Sequence, residues 1–464
     1  MNAIALFAAF STILAAGFGG LTLLARVQMR NLGEQFALSW LCGTGIVSFL
    51  IWALGFVIHG VSLFALVAVV CVTLPFVGWK MNGPSTFRFQ PLRRLRTVEL
   101  LLGALLVVEI GIIFYVARLH TLGWDGLMNW EIKARYAFSN GGVLPTAYFQ
   151  NESLSFSHSS HPLAIPFTEL WLYFWLGEAN QFWVKTIFAM FYAAGAILLA
   201  AISARLTGKT SPGLIVASLL LFIPQIAFDG ESVTAGYADF PLSVFYLATI
   251  GYLLCACRSN DCQLFGIYAA CLALLPWVKR EGIILWLVAA VSGVFVVWRR
   301  KQSPARLLAL LPGLFVIVVW RFYLLKVHAV SPHEFVPVSV ANLLSNIHRL
   351  GPIVGAFLNE FAQTGPWSLF WLLIATGCGY FVRQYRDIRS LVFFFALFAP
   401  IAVYSFIFIF SNWPNYLAQV ALCSSRMLTD IVPLSCLTVS VALASGSLQP
   451  TGLRKGGSTA NTER

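Results

Sequence analysis

Long apolar runs separated by short polar breaks fill most of the chain. Runs of about 17 to 23 apolar residues match the thickness of a bilayer core when wound as helices. They predict spans near 3–25, 37–58, 62–78, 99–117, 182–204, 212–228, 237–256, 263–278, 282–298, 306–325, 367–382, 390–410 and 426–445, about thirteen in all. The expected fold is therefore all-α, a polytopic transmembrane bundle. The stretch 163–176 is short and interrupted, and is expected at the interface or as a re-entrant turn. One polar segment, 118–166, breaks the pattern. A connection of that length between packed helices is uncommon unless it is functional or contains helices of its own.

Composition agrees with the pattern. Hydrophobic residues make up 59% of the 464 residues and charged residues 10%, and the mean hydropathy is +0.81. A net charge of +12 would point to nucleic acid in a soluble chain, but its distribution points to a membrane. Of the 30 Lys and Arg, 20 fall in loops of one side (26–30, 80–96, 205–209, 258, 299–306, 383–389, 454–464). The positive-inside rule makes that side the cytoplasm, with the N-terminus outside and the C-terminus inside. No basic stretch precedes the first apolar run, so a cleaved leader is not expected. The histidines and most carboxylates then face outward, away from the cytoplasm. The nine cysteines show no metal spacing, and no disulfide is expected. The chain divides into helices and a basic loop over 1–98, a core over 99–445, and a Gly/Ser/Thr-rich tail over 446–464, expected to be disordered.

Within the polar segment, Asp125, Asn129 and Lys133 recur at i, i+4 and i+8, a stripe on one helix face. Leu127, Trp130, Ala134 and Phe138 make the apolar face, suited to the lipid boundary of a juxtamembrane helix. Asp125 is either an N-cap or a general base that takes a proton from an acceptor hydroxyl at the membrane surface. Glu131 and Arg135 are expected to form a surface pair. His158 and His161 either offer substrate hydrogen bonds or simply supply polarity at the interface. A divalent metal on them is the weaker alternative, because no pair of carboxylates adjoins them. No cofactor is expected.

Three further outward stretches carry unusual polarity: Asp229, Glu231 and Asp239 before one span, the hairpin Lys279-Arg280-Glu281, and Arg426 with Asp430 in the last span. Lys279 and Arg280 are either a solvated hairpin tip or a phosphate clamp. Arg426 and Asp430, at i, i+4, are either a structural pair or an anion contact steadied by its neighbour. Glu109 sits mid-span without an evident role.

These residues resemble the GT-C superfamily of multi-spanning glycosyltransferases, among them protein mannosyltransferases and the aminoarabinose transferase of lipid A. The resemblance rests on Trp124-Asp125 at the start of the first large outer loop and on the His161-Pro162 to Pro166 element that ends it. Tyr237-Ala-Asp239-Phe-Pro241, Lys279-Arg-Glu281-Gly282 and an Arg entering the last span near Pro433 complete it. It covers roughly 99–440. It implies a polyprenyl-phosphate-sugar donor and a lipid, glycan or protein acceptor. It also implies a catalytic base at Asp125 and a site facing the periplasm or lumen, in what is expected to be a bacterial inner membrane. Asn129, Lys133, His158, His161, Asp239, Lys279, Arg280, Glu281 and Arg426 are the expected substrate-binding residues. Two departures stand out: three spans precede the loop-bearing span, where the family usually has one, and no large soluble C-terminal domain follows. The alternatives are a polytopic transporter, which would bury its charges at mid-membrane, and a polysaccharide polymerase or ligase, for which His328, His333, His348 and Arg349 in the loop 326–366 speak.

Overall fold

A computed structural model of the chain describes residues 2–25, 31–82, 96–259, 261–330 and 334–446. The tail from 447, His333 and the loops carrying Arg26, Arg30, Arg88, Arg93 and Arg94 lie outside the described residues. Those that are described form helices, with no strand among them. In lipid the backbone must satisfy its own hydrogen bonds, and a helix does this within one segment.

Among the described residues nine helices are long and apolar enough to cross a membrane, and a tenth arises if Tyr416–Thr429 and Val432–Ser445, bent by 49°, count as one. The remaining expected spans emerge as shorter pieces: Thr210–Phe222, Cys262–Val278 and Phe370–Gln384. The shortness of Cys262–Val278 does not prevent it from running the full depth of the bundle. Lys279 at its far end bonds Asp239, where the preceding helix Asp239–Ser259 begins. The two helices therefore form a complete hairpin.

Close backbone approach builds the N-terminal part. A Cβ on Gly17 would fall 1.8 Å from the Ser39 carbonyl oxygen, and one on Gly43 would fall 2.0 Å from that of Ile13. Without a hydrophobic force between helices in lipid, such small-residue contacts supply the packing. At the end remote from Asp239, Arg205 donates twice to Glu34, each bond 2.7 Å long. Tyr252 donates to the same carboxylate at 2.5 Å, so one buried acid ties three helices together. Nearby, Arg300 donates to the Cys257 carbonyl at 2.7 Å. From Asp239 to Cys257 the helix rises about 27 Å, close to a bilayer core.

Two expectations are corrected. The stretch 163–176 is not interfacial: it forms the helix Ala164–Leu176, buried from Ala164 to Tyr173. Its Trp171 donates to Thr12 at 3.1 Å, because bundle packing gives its aromatic face more contact than a bilayer surface can. The apolar face of the 126–139 segment likewise rests on protein. Trp130 and Ala134 are fully buried, and Phe138 packs against Tyr173 and Phe174.

Candidate active site

The helix Thr97–Leu119 ends where His120 turns extended, and Lys185 donates to the His120 carbonyl. The chain then runs against the 232–238 loop. Gly123 donates to the Ala235 carbonyl at 2.8 Å, and a Cβ on Gly126 would meet that same oxygen at 2.6 Å. Glycine is needed there for contact, and the contact fixes Asp125 between the two strips of chain. The backbone then winds as a π-helix, Gly126–Glu131, before the α-helix Ile132–Ser139. Such windings are rare and recur at functional sites.

Asp125 does not cap this helix: its side chain accepts no backbone N–H. It accepts instead from Arg426, Nη2 to Oδ2 at 2.5 Å, while its own N–H donates to the Tyr237 hydroxyl at 3.3 Å. Arg426 also reaches Asp239 Oδ2 at 3.3 Å, and its guanidinium lies 5.0 Å from the centre of the Tyr237 ring. The expected Arg426–Asp430 pair is therefore not formed. Asp430 accepts from Tyr404 at 2.7 Å. Two carboxylates facing Arg426 from other elements outweigh the weak attraction of an i, i+4 neighbour.

The other oxygen of Asp239 takes Lys279, Nζ to Oδ1 at 2.6 Å, with Glu281 3.5 Å from the same ammonium. Burial works against the charge on Lys279, but Asp239 and then Glu281 outweigh it and hold the ammonium above its ordinary range. Glu281 is itself pushed upward by burial and pulled down more strongly by Lys279 and Arg280. Lys279 is buried with its charge balanced, so the hairpin is not a solvated tip at this residue. Arg280 faces outward, its side chain 40% exposed, with Glu334 Oε2 at 3.7 Å.

The histidines approach the same place. His158 Nε2 lies 3.9 Å from Glu334 Oε1, and the rings of His158 and His161 are 5.3 Å apart. Burial, with Arg280 and Lys133 adding to it, lowers both imidazoles below their usual value, and Glu334 opposes this only at His158. Both rings therefore stand neutral near pH 7. His158 holds a left-handed backbone, φ 47°, which aims its ring toward Glu334. Lys133 fastens that turn. It donates to Asn129 O at 2.5 Å, Asn129 Oδ1 at 2.8 Å and Ser157 O at 2.6 Å. All three of its protons are thus used inside the protein, and both Lys133 and Asn129 are buried. Burial lowers Lys133 to about 7, opposed by Asp125 and Glu169. In this arrangement Lys133 holds the loop and keeps no proton free for a substrate, whereas of Asn129 only the carbonyl oxygens are taken up.

Glu131 and Arg135 do pair, with Arg135 at the surface as expected and Glu131 beneath it. Glu131 is buried and also accepts from Tyr173 at 2.6 Å. Among the described residues no group of three or more His, Cys, Asp or Glu is arranged to hold a metal ion.

Glu334, Tyr237 and Glu231 are site residues that the sequence pattern did not single out as binding groups. Glu231 lies 3.4 Å from Ser425; burial raises its carboxyl, with Arg426 opposing and Asp239 adding. The available signal for Glu334 was an acid directly after His333 in the polar 326–366 loop.

A cavity of about 300 Å³ is lined by Phe222, Ile223, Trp367, Phe370, Leu373 and Cys436 among others. Its wall is tied to the helix Tyr416–Thr429, which carries Arg426, through Glu360, which accepts from Trp367 at 2.9 Å and from Ser424 at 3.3 Å. Comparison of the chain with protein-family models, curated proteins and solved structures finds no match.

Proposed function

We propose that the chain is a membrane glycosyltransferase of GT-C type that moves a sugar from a polyprenyl-phosphate donor to a hydroxyl acceptor. The acceptor is a lipid, a glycan or a protein, and the reaction runs at the outer face of a bacterial inner membrane. The single observation that carries this reading is the Asp125–Arg426 pair: a carboxylate and an anion-binding cation, both partly exposed, side by side at one end of the bundle. Arg426 and Arg280 are the groups suited to the donor phosphate, and the apolar cavity whose Trp367 wall is linked to the Arg426 helix suits part of a hydrocarbon chain.

The phosphate competes with Asp125 for Arg426, and Asp125 is thereby freed to act as base. The acceptor oxygen bonds to the anomeric carbon as the carbon–oxygen bond to the lipid phosphate breaks. The acceptor proton passes to Asp125, and the lipid phosphate leaves with the bonding electron pair. One carboxylate acts once without a covalent intermediate, so the sugar transfers with inversion. Phosphate needs no acid to leave, unlike the leaving group of a glycosidase. Lys279 and Asp239 fix Arg426 from behind.

A polymerase or ligase would use the same donor chemistry with a growing glycan as acceptor. A transporter would leave the donor lipid intact. Incubation of the purified full-length chain with polyprenyl-phosphate sugars decides between these outcomes. Loss of sugar from the lipid, abolished in Asp125→Asn, supports transfer, and an unchanged donor with every sugar tried rejects it.

A further inference from the structure

The helix Thr97–Leu119 turns one flank outward, where Val107 and Val108 are 69% and 58% exposed, yet Glu109 beside them is 1% exposed. Glu109 faces inward, onto the helices Thr186–Thr207 and Thr210–Ser218. Neither of its carboxyl oxygens has a hydrogen-bond partner, and the Tyr192 hydroxyl and Ser218 Oγ have none either. The Ser218 hydroxyl nevertheless approaches the Glu109 carboxyl closely enough to favour its charge, and the Tyr192 hydroxyl lies within reach of that charge. Three packed helices thus carry four buried oxygens of which none makes a well-formed hydrogen bond. Glu109 stands about 18 Å along a helix some 33 Å long, which is near mid-depth.

A carboxylate in that setting is costly unless something neutralises it. Among the described residues no lysine, arginine or histidine acts on Glu109. The donors are all oxygen, a set that suits hard cations and not the softer transition metals. One carboxylate balances one positive charge. Ser218 is also the last residue of an α-helix that continues as the 3-10 turn Leu219–Phe222, a change of winding of the kind found where membrane helices hold ions.

We propose that Glu109, Tyr192 and Ser218 form a binding site for one small monovalent cation of the sodium class inside the membrane span. It is separate from the Asp125–Arg426 cluster and does not depend on the transfer reaction. A bound ion stabilises the folded chain by mass action, so the melting temperature reads occupancy.

The test melts the full-length protein in detergent over a sodium chloride series, with choline chloride holding ionic strength constant. The expected result is a sodium-dependent rise that is absent in Glu109→Gln. In Tyr192→Phe the rise should shift to roughly tenfold higher sodium, the loss of one contact to a charged partner. Radioactive sodium should bind once per chain. Equal melting in sodium and choline overturns the site and leaves Glu109 carrying its own proton. A sodium effect that persists in Glu109→Gln overturns it as well. Should Glu109→Gln fail to fold, the wild-type series and Tyr192→Phe decide: an unaltered sodium dependence in Tyr192→Phe rejects the site.

Discussion

Arg426 donates to Asp125 across 301 residues of sequence, with 2.5 Å between Nη2 and Oδ2. The residue expected to act as a base therefore rests against the residue expected to hold an anion. In the structure each occupies the place of the other's ligand, and in the proposed reaction the anionic donor separates them.

Asp125→Asn keeps the size of the side chain and removes its basicity. Transfer should fall by on the order of 10²-fold or more, the usual worth of general-base catalysis, while insertion and melting stay close to wild type. Turnover measured on well-folded Asn protein decides this, and near-normal turnover would remove Asp125 from the chemistry.

Arg280 is partly exposed and only loosely paired with Glu334, so Arg280→Ala should change stability little. Donor binding should weaken by roughly tenfold or more if its guanidinium meets phosphate. Arg426→Ala should weaken the donor as well. Unchanged donor affinity in both variants would rule out the clamp.

Lys279→Met should be strongly destabilising, by about 3–5 kcal/mol, because it leaves the buried Asp239 with one counter-charge fewer. Adding Asp239→Asn should recover part of the loss. Melting temperatures of the two single variants and the double variant measure the coupling, and strictly additive losses would contradict the pairing.

His161 is held neutral by burial and neighbouring cations, so its folded value lies below its unfolded one. Between the two, the unfolded chain binds more protons, and stability rises with pH. The contribution is complete above the unfolded value of about 6.5 and is lost as pH falls below it. Melting between pH 5 and pH 8 should slope accordingly, and His161→Gln should flatten the slope. An identical slope in the variant would assign it to other groups.

Orientation is testable separately. Reporter fusions after Ser390 and at the C-terminus should report the cytoplasm, and one near Thr146 the opposite side. A cytoplasmic signal at Thr146 would turn the site inward.

The apolar runs by themselves determine that this chain is a helical membrane protein, because a backbone in lipid must bond within its own segment and hydropathy records where it does so. They also isolate the 118–166 segment and bring Asp125, His158, His161, Asp239, Lys279, Arg280, Glu281 and Arg426 forward as charges that need a reason. Partnership is a different matter. Local spacing pairs Arg426 with Asp430 and gives Asp125 a capping role, but the folded chain pairs Arg426 with Asp125 and Asp239. An i, i+4 attraction is worth a few tenths of a kcal/mol, less than a charge-assisted contact held in a mostly buried cluster. Glu334 enters only because its loop folds over His158 and Arg280. The burial of Lys133 and of the helix Ala164–Leu176 depends on which neighbours cover them. Span length and the need for bonded backbones are written locally, whereas which charges meet, and which side chains lose water, is decided when distant helices close on one another.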